Sequence, residues 1–254
     1  YGPPSRNKND DLENLPHNGY VTLPEFESSQ FCKSCHESPD TVSKIKGKKI
    51  METYSEWESS LYAKKGIHCQ NCHMPDRKHK WKGIHDKEMV QSGLNQDLHL
   101  EIENQNLKIT AILRSINIGH KFPTYSVPKI YMRLYLKDST GRRKFLKDHI
   151  IGRLVDIDMK NEFFDTRLSP NKFVSLETKI PISELNKFSE IIYEVTIDPG
   201  EMYIRMFEYN LENQKELGHS KSSLKILENA LKEKKNLKYV LFTLSAKVPD
   251  LPLR

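Results

Sequence analysis

The chain has 254 residues, of which 37% are hydrophobic and 29% are charged, and its formal net charge is +6. Aromatic and aliphatic residues recur along its whole length, which excludes a disordered tail, and no apolar run approaches the roughly 18 residues that a membrane-spanning helix needs. The 40 Lys and Arg and the 34 Asp and Glu residues are spread over the chain, without the one-sided basic excess expected of a nucleic-acid-binding protein.

Residues 1–30 are rich in Pro, Asn and charged side chains, and this composition predicts an extended N-terminal arm. Tyr1-Gly2-Pro3-Pro4 lacks the charged and then apolar pattern of a signal peptide, so we expect the numbering to start at a mature N-terminus. Changes of pattern further along predict two more parts: a small segment of helices and loops over residues 31–95 and a β-rich domain over residues 96–254.

All four cysteines lie between residues 32 and 72, in two copies of the pattern Cys-x-x-Cys-His. This pattern is the attachment motif of haem c. Two thiols one helical turn apart add to the two vinyl groups of one haem, and the histidine that follows binds the iron. The sequence therefore predicts two covalently bound haem c groups with proximal ligands His36 and His73, attached at Cys32 and Cys35 and at Cys69 and Cys72.

The alternative for these cysteines is a structural zinc site, because two Cys-x-x-Cys pairs also supply four thiolates. Zinc ribbons usually place their pairs about 15–20 residues apart, whereas 33 residues separate Cys35 from Cys69. Zinc also needs no histidine after each pair. A thioredoxin-like redox motif is disfavoured, because no βαβ pattern surrounds either pair. The residues favour haem, with zinc as the alternative.

Each iron needs a second axial ligand, for which histidine and methionine are the usual residues. His120 lies in a turn with a glycine and a proline, and such a rigid turn is suited to presenting an imidazole to a haem. We expect His120 to be one distal ligand. His79 and His85 lie in a polar, loop-like segment, and we expect one of them to be the other. Met51 and Met89 are expected to pack in the interior.

The segment between the motifs predicts both helix and loop. Residues 50–61 have helical periodicity with Tyr54, Trp57 and Leu61 on one face, and these side chains are expected to cover haem edges. Asp86 has the position of the N-cap of a short helix. Four lysines form either a solvated loop or a group that neutralises haem propionates or docks an acidic redox partner: Lys44, Lys46, Lys48 and Lys49.

These residues resemble bacterial multihaem c-type cytochromes. The similarity includes the Cys-His-Met-Pro ending of the second motif, a His-x-Trp-x-Gly-x-His-Asp segment and a Gly-His-x-Phe-Pro-Thr turn, and it covers Glu56–Ser60, Tyr62–Pro75, His79–Asp86, Gly119–Thr124 and Asp165–Pro170. The resemblance implies an exported electron-transfer protein in which His36 and His73 are proximal ligands. It also supports His79, His85 and His120 as distal candidates. Related chains often have Thr or Ser at the position of His68, which leaves the role of His68 open.

From residue 98 onwards the hydrophobic period changes to two. Turn-forming residues separate seven predicted strands: Leu107–Ile116, Lys129–Leu136, Lys144–Val155, Phe173–Ile180, Ile191–Ile197, Glu201–Tyr209 and Tyr239–Val248. One helix is predicted over Ser222–Lys235 from its apolar stripe. The predicted fold class is α+β, with a small helical and loop dihaem domain followed by an antiparallel β-sandwich domain that has one added helix.

The C-terminal part has no phosphate-binding glycine loop and no nucleophile elbow, so no catalytic residue is predicted. We predict a dihaem c-type cytochrome that carries single electrons between redox partners outside the cytoplasm, in the periplasm or otherwise exported. Its expected partners are other cytochromes in a larger respiratory complex, for which the β-domain would supply a surface. The alternatives are a haem enzyme with an open iron site that reduces peroxide or nitrogen oxides, and a structural haem subunit.

Overall fold

The computed structural model describes residues 20–249 except residues 77, 79 and 81. Of the predicted N-terminal arm, residues 1–19 lie outside this range, and the 3-10 helix Pro24–Glu27 occupies part of the remainder. Five short α-helices follow: Ser29–His36 (α1), Thr53–Glu58 (α2), Leu61–Lys64 (α3), Cys69–His73 (α4) and Lys87–Gly93 (α5). Within the described residues, no helix has both the length and the apolar character required to cross a membrane.

The helical pattern over residues 50–61 forms two helices and not one. Helix α2 ends at Glu58, and the Ser60 hydroxyl begins α3 as an N-cap by accepting hydrogen bonds from backbone N–H groups. This break leaves Leu61 57% exposed, while the rings of Tyr54 and Trp57 pack with their centres 5.5 Å apart. The expectation that all three side chains share one face is therefore wrong for Leu61.

The second half of the chain forms antiparallel sheets. The strands are Leu94–Glu103 (β1), Asn106–Ser115 (β2), Lys129–Asp138 (β3), Arg143–Ile151 (β4), Arg153–Val155 (β5), Glu162–Asp165 (β6), Phe173–Pro181 (β7), Phe188–Asp198 (β8) and Tyr239–Lys247 (β9). Strands β1, β2 and β7 form one sheet, β4, β3, β8 and β9 form another in that order, and β5 and β6 form a small third one. The predicted α+β class is confirmed.

One hydrophobic core lies between the two larger sheets. Every second residue of β2 from Leu107 to Leu113 is fully buried, and the residues between them are partly exposed. The other sheet contributes alternate residues of β3 and β8 to the same core: Ile130, Met132, Leu134, Leu136, Ile191, Tyr193, Val195 and Ile197. Because successive side chains of a strand point to opposite faces, this period of two places one face of each sheet against the other.

The strand predicted over Glu201–Tyr209 is wrong, because the segment lies in helix α6, Glu201–Glu212. Its aromatic and branched residues favour a strand by propensity, but tertiary packing decides for a helix. Met202 and Met206, four residues apart, share one helix face and contribute to a second, smaller core. The predicted helix is present as α7, Lys221–Lys235, so two helices accompany the sheets instead of one.

The strand predicted over Lys144–Val155 is interrupted at Gly152, which separates β4 from β5. At this position the backbone lies against the buried side chain of Lys129, and a Cβ atom on residue 152 would come within 2.6 Å of the Lys129 Cδ. Only glycine fits such a close approach. Strand β5 then pairs with β6, a four-residue strand that is too short to show a period in the sequence.

A buried network of charged side chains joins the loop that precedes α2, residues 45–49, to strands β5 and β6. The Nε atom of Arg153 donates to Glu162 at 2.7 Å, and its terminal nitrogens donate to the carbonyl oxygens of Ile45 and Lys49 at 3.3 and 2.5 Å. The side chain of Arg153 is 1% exposed and that of Glu162 is 6% exposed. This network therefore fixes a loop between the two cysteine motifs onto the β-rich part of the chain.

Two of the four lysines in this part of the chain, Lys48 and Lys49, stabilise the fold. Lys48 forms ion pairs with Glu162 at 3.0 Å and Asp165 at 2.8 Å, and Lys49 pairs with the buried Glu37 at 3.2 Å. These two ammonium groups are held by carboxylates of the same chain. Of the two interpretations of the lysines, a solvated loop or a binding group for propionates or a partner, neither describes Lys48 and Lys49.

Acid is expected to weaken this network. Burial raises the pKa of Asp165, but hydrogen bonds from Arg167 and Lys48 outweigh that effect and hold the pKa well below its usual value. A carboxyl with a lower pKa in the folded chain stabilises the fold above its unfolded pKa, and this contribution is lost as the pH falls through the folded pKa. In urea titrations, we expect the free energy of unfolding to fall below about pH 4, and to fall less steeply in D165N.

The control for this prediction is D158N, because Asp158 is 70% exposed and pairs only with the equally exposed Lys160. D158N should follow the wild-type pH dependence. If the free energy of unfolding decreases with falling pH equally steeply in D165N and in the wild type below about pH 5, the role of Asp165 is contradicted.

Candidate functional site

Both Cys-x-x-Cys-His motifs open on one cavity of about 460 Å³. Aromatic side chains from α2, α3 and the segment before β3 form much of its wall, among them Tyr54, Trp57, Tyr62, Phe122 and Tyr125. His79 lies outside the described residues. All other predicted site residues line this cavity: Cys32, Cys35, His36, Cys69, Cys72, His73, His85 and His120.

The two motifs lie side by side. The first forms the end of α1, and the second is α4 itself, so the cysteines of each pair are one helical turn apart. The interaction between the Cys32 and Cys69 side chains raises the pKa of Cys32 and lowers the pKa of Cys69 to about 6. All four cysteines are free thiols. Each pair is therefore available for the same covalent chemistry.

Helix α4 is fixed against the start of α1 by side-chain hydrogen bonds. The hydroxyl oxygen of Ser29 accepts from the N–H of Cys69 at 3.0 Å, and the amide nitrogen of Gln70 donates to the carbonyl oxygens of Phe26 and Ser28 at 2.9 and 2.8 Å. Because these bonds join the first turns of the two motif helices, they set the distance between the two attachment sites.

His68 has a structural role at this junction. It is the N-cap of α4, the position at which Ser and Thr are preferred, and Asn71 completes a capping box with it. Its Nδ1 atom accepts a hydrogen bond from the N–H of Ser29 at 3.3 Å, and its ring lies 5.8 Å from that of Trp57. The structure thus accounts for His68 as a helix cap that joins α4 to α1.

His73 and His120 face each other across the cavity. Their ring centres are 6.1 Å apart, and their planes are within 16° of parallel. Two imidazoles on one metal ion have two metal–nitrogen bonds of about 2 Å and half a ring on either side, which places the ring centres roughly 6 Å apart. The separation therefore fits two imidazoles that would hold one metal ion between them.

The second nitrogen of each ring is held by a backbone carbonyl. The Nδ1–H of His73 donates to the Lys82 oxygen at 2.5 Å, and that of His120 donates to the Lys121 oxygen at 2.8 Å. A carbonyl accepts only, so both rings are in the tautomer whose Nε2 carries the lone pair. Burial lowers the pKa of His73 and lowers that of His120 to about 4. Both imidazoles are therefore neutral at pH 7, the form that binds metal.

His85 stands at the margin of the cavity. It is exposed, and the turn that carries it is held by the Tyr239 hydroxyl, which donates to the carbonyl oxygen of Ile84 at 2.7 Å. The next residue, Asp86, caps α5 by accepting from the N–H of Met89 at 2.9 Å, as predicted. The position of His85 is thus well defined, at the edge of the lining.

Gly119 allows a close approach and does not adopt an unusual backbone. Its φ angle is not positive, but a Cβ atom at residue 119 would lie 3.2 Å from the Tyr62 ring. The glycine therefore lets the turn that carries His120 lie close against α3, and a larger residue would require the Tyr62 ring to shift.

The arrangement required by the zinc alternative is absent from the described residues. There, no group of three or more Cys, His, Asp or Glu side chains is placed to hold one metal ion. All four cysteines belong to the described range, so their sulfur atoms are not gathered into the tetrahedron of a four-thiolate site.

Two functional candidates were missed in the sequence. Arg167 is buried and Glu56 is nearly so, and their side chains meet at 3.1 Å beside the turn that carries His120. Both lie in segments that resemble multihaem cytochromes, Glu56–Ser60 and Asp165–Pro170, and this was the available signal. A glutamate and an arginine in separate segments have no motif spacing that would reveal their contact.

The α+β fold of this chain is similar to that of a multihaem c-type cytochrome of known structure. A similar solved structure is the crystal structure of a penta-heme cytochrome c552 from Thermochromatium tepidum, with a TM-score of 0.64 and 17% sequence identity. The match covers 92% of this chain and 60% of that one, so the chain spans less than two thirds of the length of that cytochrome. No known family description and no curated protein sequence matches the chain.

Proposed function

We propose that this protein is a dihaem c-type cytochrome that carries single electrons between redox partners outside the cytoplasm. One haem c would be attached at Cys32 and Cys35, and the other at Cys69 and Cys72. The observation that carries the proposal is that two complete attachment motifs open on the same aromatic cavity, with His120 opposite the histidine of the second motif.

The residues fit this cofactor. Haem c supplies a one-electron iron couple when bound. Around it, the chain offers two pairs of free thiols, apolar walls, and the neutral imidazoles of His73 and His120 with their Nδ1 atoms held in place. Two protein ligands on one iron would leave no site for a substrate, which favours electron transfer over catalysis.

The iron of the first motif would be bound by His36 and by either His85 or His79. His85 lines the margin of the cavity, and His79 remains a candidate from the sequence alone. We propose that residues 31–95 hold both haems and that the β-rich part, residues 96–254, supplies His120. Export, a periplasmic location and partnership with other cytochromes in a respiratory complex are proposed from the haem c motifs and the resemblance to multihaem cytochromes.

A haem count tests the proposal. Protein made in cells that attach haem c should give two haems and two irons per chain in a pyridine haemochrome assay with elemental analysis. C69S/C72S removes one pair of thiols and should retain one covalent haem. C35S is the matched control at the other motif, where it should affect only the first haem.

The spin state separates electron transfer from the enzymatic alternative. Ferric protein with low-spin iron only, and ferrous protein that does not bind carbon monoxide, would support the electron carrier. Carbon monoxide binding to one haem of the wild type would favour an open iron site that reduces peroxide or nitrogen oxides. Colourless protein that contains zinc would refute both.

A further inference from the structure

The backbone groups of Lys121 and Phe122, next to His120, are held by hydrogen bonds. The Lys121 carbonyl oxygen accepts from the His120 Nδ1–H at 2.8 Å, and the next N–H, of Phe122, donates to the carbonyl of Leu168 at 2.9 Å. On the other side, the Lys121 N–H donates to the carboxylate of Glu56 at 2.9 Å. The peptide groups on either side of Lys121 are therefore both anchored to other segments.

Glu56 belongs to α2, between the two cysteine motifs, and its side chain is only 10% exposed. One carboxylate oxygen accepts from the Lys121 N–H and, at 3.4 Å, from the Thr124 hydroxyl. The other pairs with Arg167 at 3.1 Å and with the Lys121 ammonium at 3.7 Å. A single buried carboxylate thus contacts the turn at two places, one residue and four residues after His120.

Arg167 completes the clamp from the β-rich part of the chain. Its guanidinium is 1% exposed, and the same Nη1 atom that meets Glu56 donates to the carbonyl oxygen of Thr124 at 2.9 Å. Its remaining donors bind Asp165 at 2.8 and 3.0 Å. Arg167 is therefore fixed in direction by Asp165, and Glu56 is fixed by Arg167.

We propose that Glu56, held by Arg167, is a positioning residue that orients the His120 imidazole towards the iron of the second motif. It acts through the backbone of Lys121 and does not touch the haem. The physical reason is that groups which hold a metal-bound histidine by its second nitrogen set the direction of the ring and the strength of the metal bond. This inference rests on the proposed function, because it takes His120 as an iron ligand.

The Glu56 carboxylate provides both a negative charge and a hydrogen-bond acceptor, and two variants distinguish these contributions. E56Q keeps an oxygen that accepts from the Lys121 N–H but loses the charge, so His120 should stay bound. The reduction potential of that haem should rise, because loss of a nearby negative charge favours the reduced iron. E56A loses the acceptor as well, and the equilibrium constant for His120 binding to iron should fall about 10–100-fold.

The test uses the dihaem protein and measures carbon monoxide binding to the ferrous form, the ferric low-spin signal and the potential of each haem. E56A should bind carbon monoxide at one haem, whereas E56Q should not. E58A changes an exposed glutamate of the same helix, so it should match the wild type in ligand binding.

A second variant covers the case in which E56A does not fold because Arg167 is left with a single counter-charge. E56M/R167M removes both charges together, which buried pairs tolerate better, and it also lacks the clamp. It should bind carbon monoxide as E56A does. Retention of two fully low-spin haems by E56A, or by E56M/R167M when E56A is insoluble, overturns the role of Glu56.

The H120A variant distinguishes failure of this inference from failure of the proposed function. If H120A opens one haem to carbon monoxide and the Glu56 variants do not, His120 is a ligand and Glu56 does not position it. If H120A keeps two low-spin haems, the assignment of His120 is wrong and the role of Glu56 is refuted with it.

Discussion

Replacing His120 with alanine is expected to leave one iron of the proposed dihaem protein with a single protein ligand. The ring of His120 lies 6.1 Å from that of His73 across the cavity. We expect the ferric spectrum of H120A to show one high-spin and one low-spin haem. The ferrous protein should bind about one carbon monoxide per chain, where the wild type binds none.

Two controls accompany this prediction. His219 lies in the connection between α6 and α7, where it contacts Asn210 at 2.9 Å, so H219A should leave both haems low-spin. Added imidazole should restore the low-spin spectrum of H120A, because it can occupy the space left by the side chain. An unchanged low-spin spectrum in H120A would remove His120 from the set of ligands.

Replacing Glu162 with alanine is expected to cause the largest loss of stability among the charged residues of the fold. Arg153, 1% exposed in its side chain, would keep two carbonyl partners and lose its carboxylate. Removal of one member of a buried ion pair leaves an uncompensated charge, which typically costs about 3–5 kcal/mol. We expect this decrease in the free energy of unfolding of E162A in urea titrations.

A surface pair provides the control for E162A. Glu190 pairs with Lys137 at 3.2 Å, with both side chains about one third exposed, so E190A should cost no more than about 1 kcal/mol. The double variant R153M/E162M should lose less stability than E162A, because no buried charge is left alone. A loss below about 1 kcal/mol in E162A would contradict the prediction and would show that solvent compensates the charge of Arg153.

The part of the fold that was predictable from sequence is the part with a clean period. Strand β2 alternates buried and partly exposed residues along its length, and the predicted and observed bounds differ by one residue at each end. Helix α7 has an apolar stripe with a period near 3.6 and was also found. Helix α6 was missed because its mixed aromatic and aliphatic residues fit either period, and only packing of Met202 and Met206 selects the helix.

In the candidate site too, residues in local motifs were predictable from the sequence and long-range contacts were not. The cysteine motifs are local, since their residues lie within one turn of helix, and the structure places both on one cavity. His120 was singled out because its turn contains glycine and proline close together. The contact between Glu56 and Lys121 spans 65 residues of the chain, and no local pattern encodes a contact at that separation.

The spacing of residues within each motif therefore determined which thiols and histidines could bind a cofactor, because the residues of a Cys-x-x-Cys-His segment lie within about one helical turn. The tertiary structure alone decided that His73 faces His120, that His68 caps a helix, and that Glu56 and Arg167 hold the His120 turn. These contacts join segments that are distant in the chain. They depend on the pairing of buried charges and the packing of apolar surfaces in the complete fold.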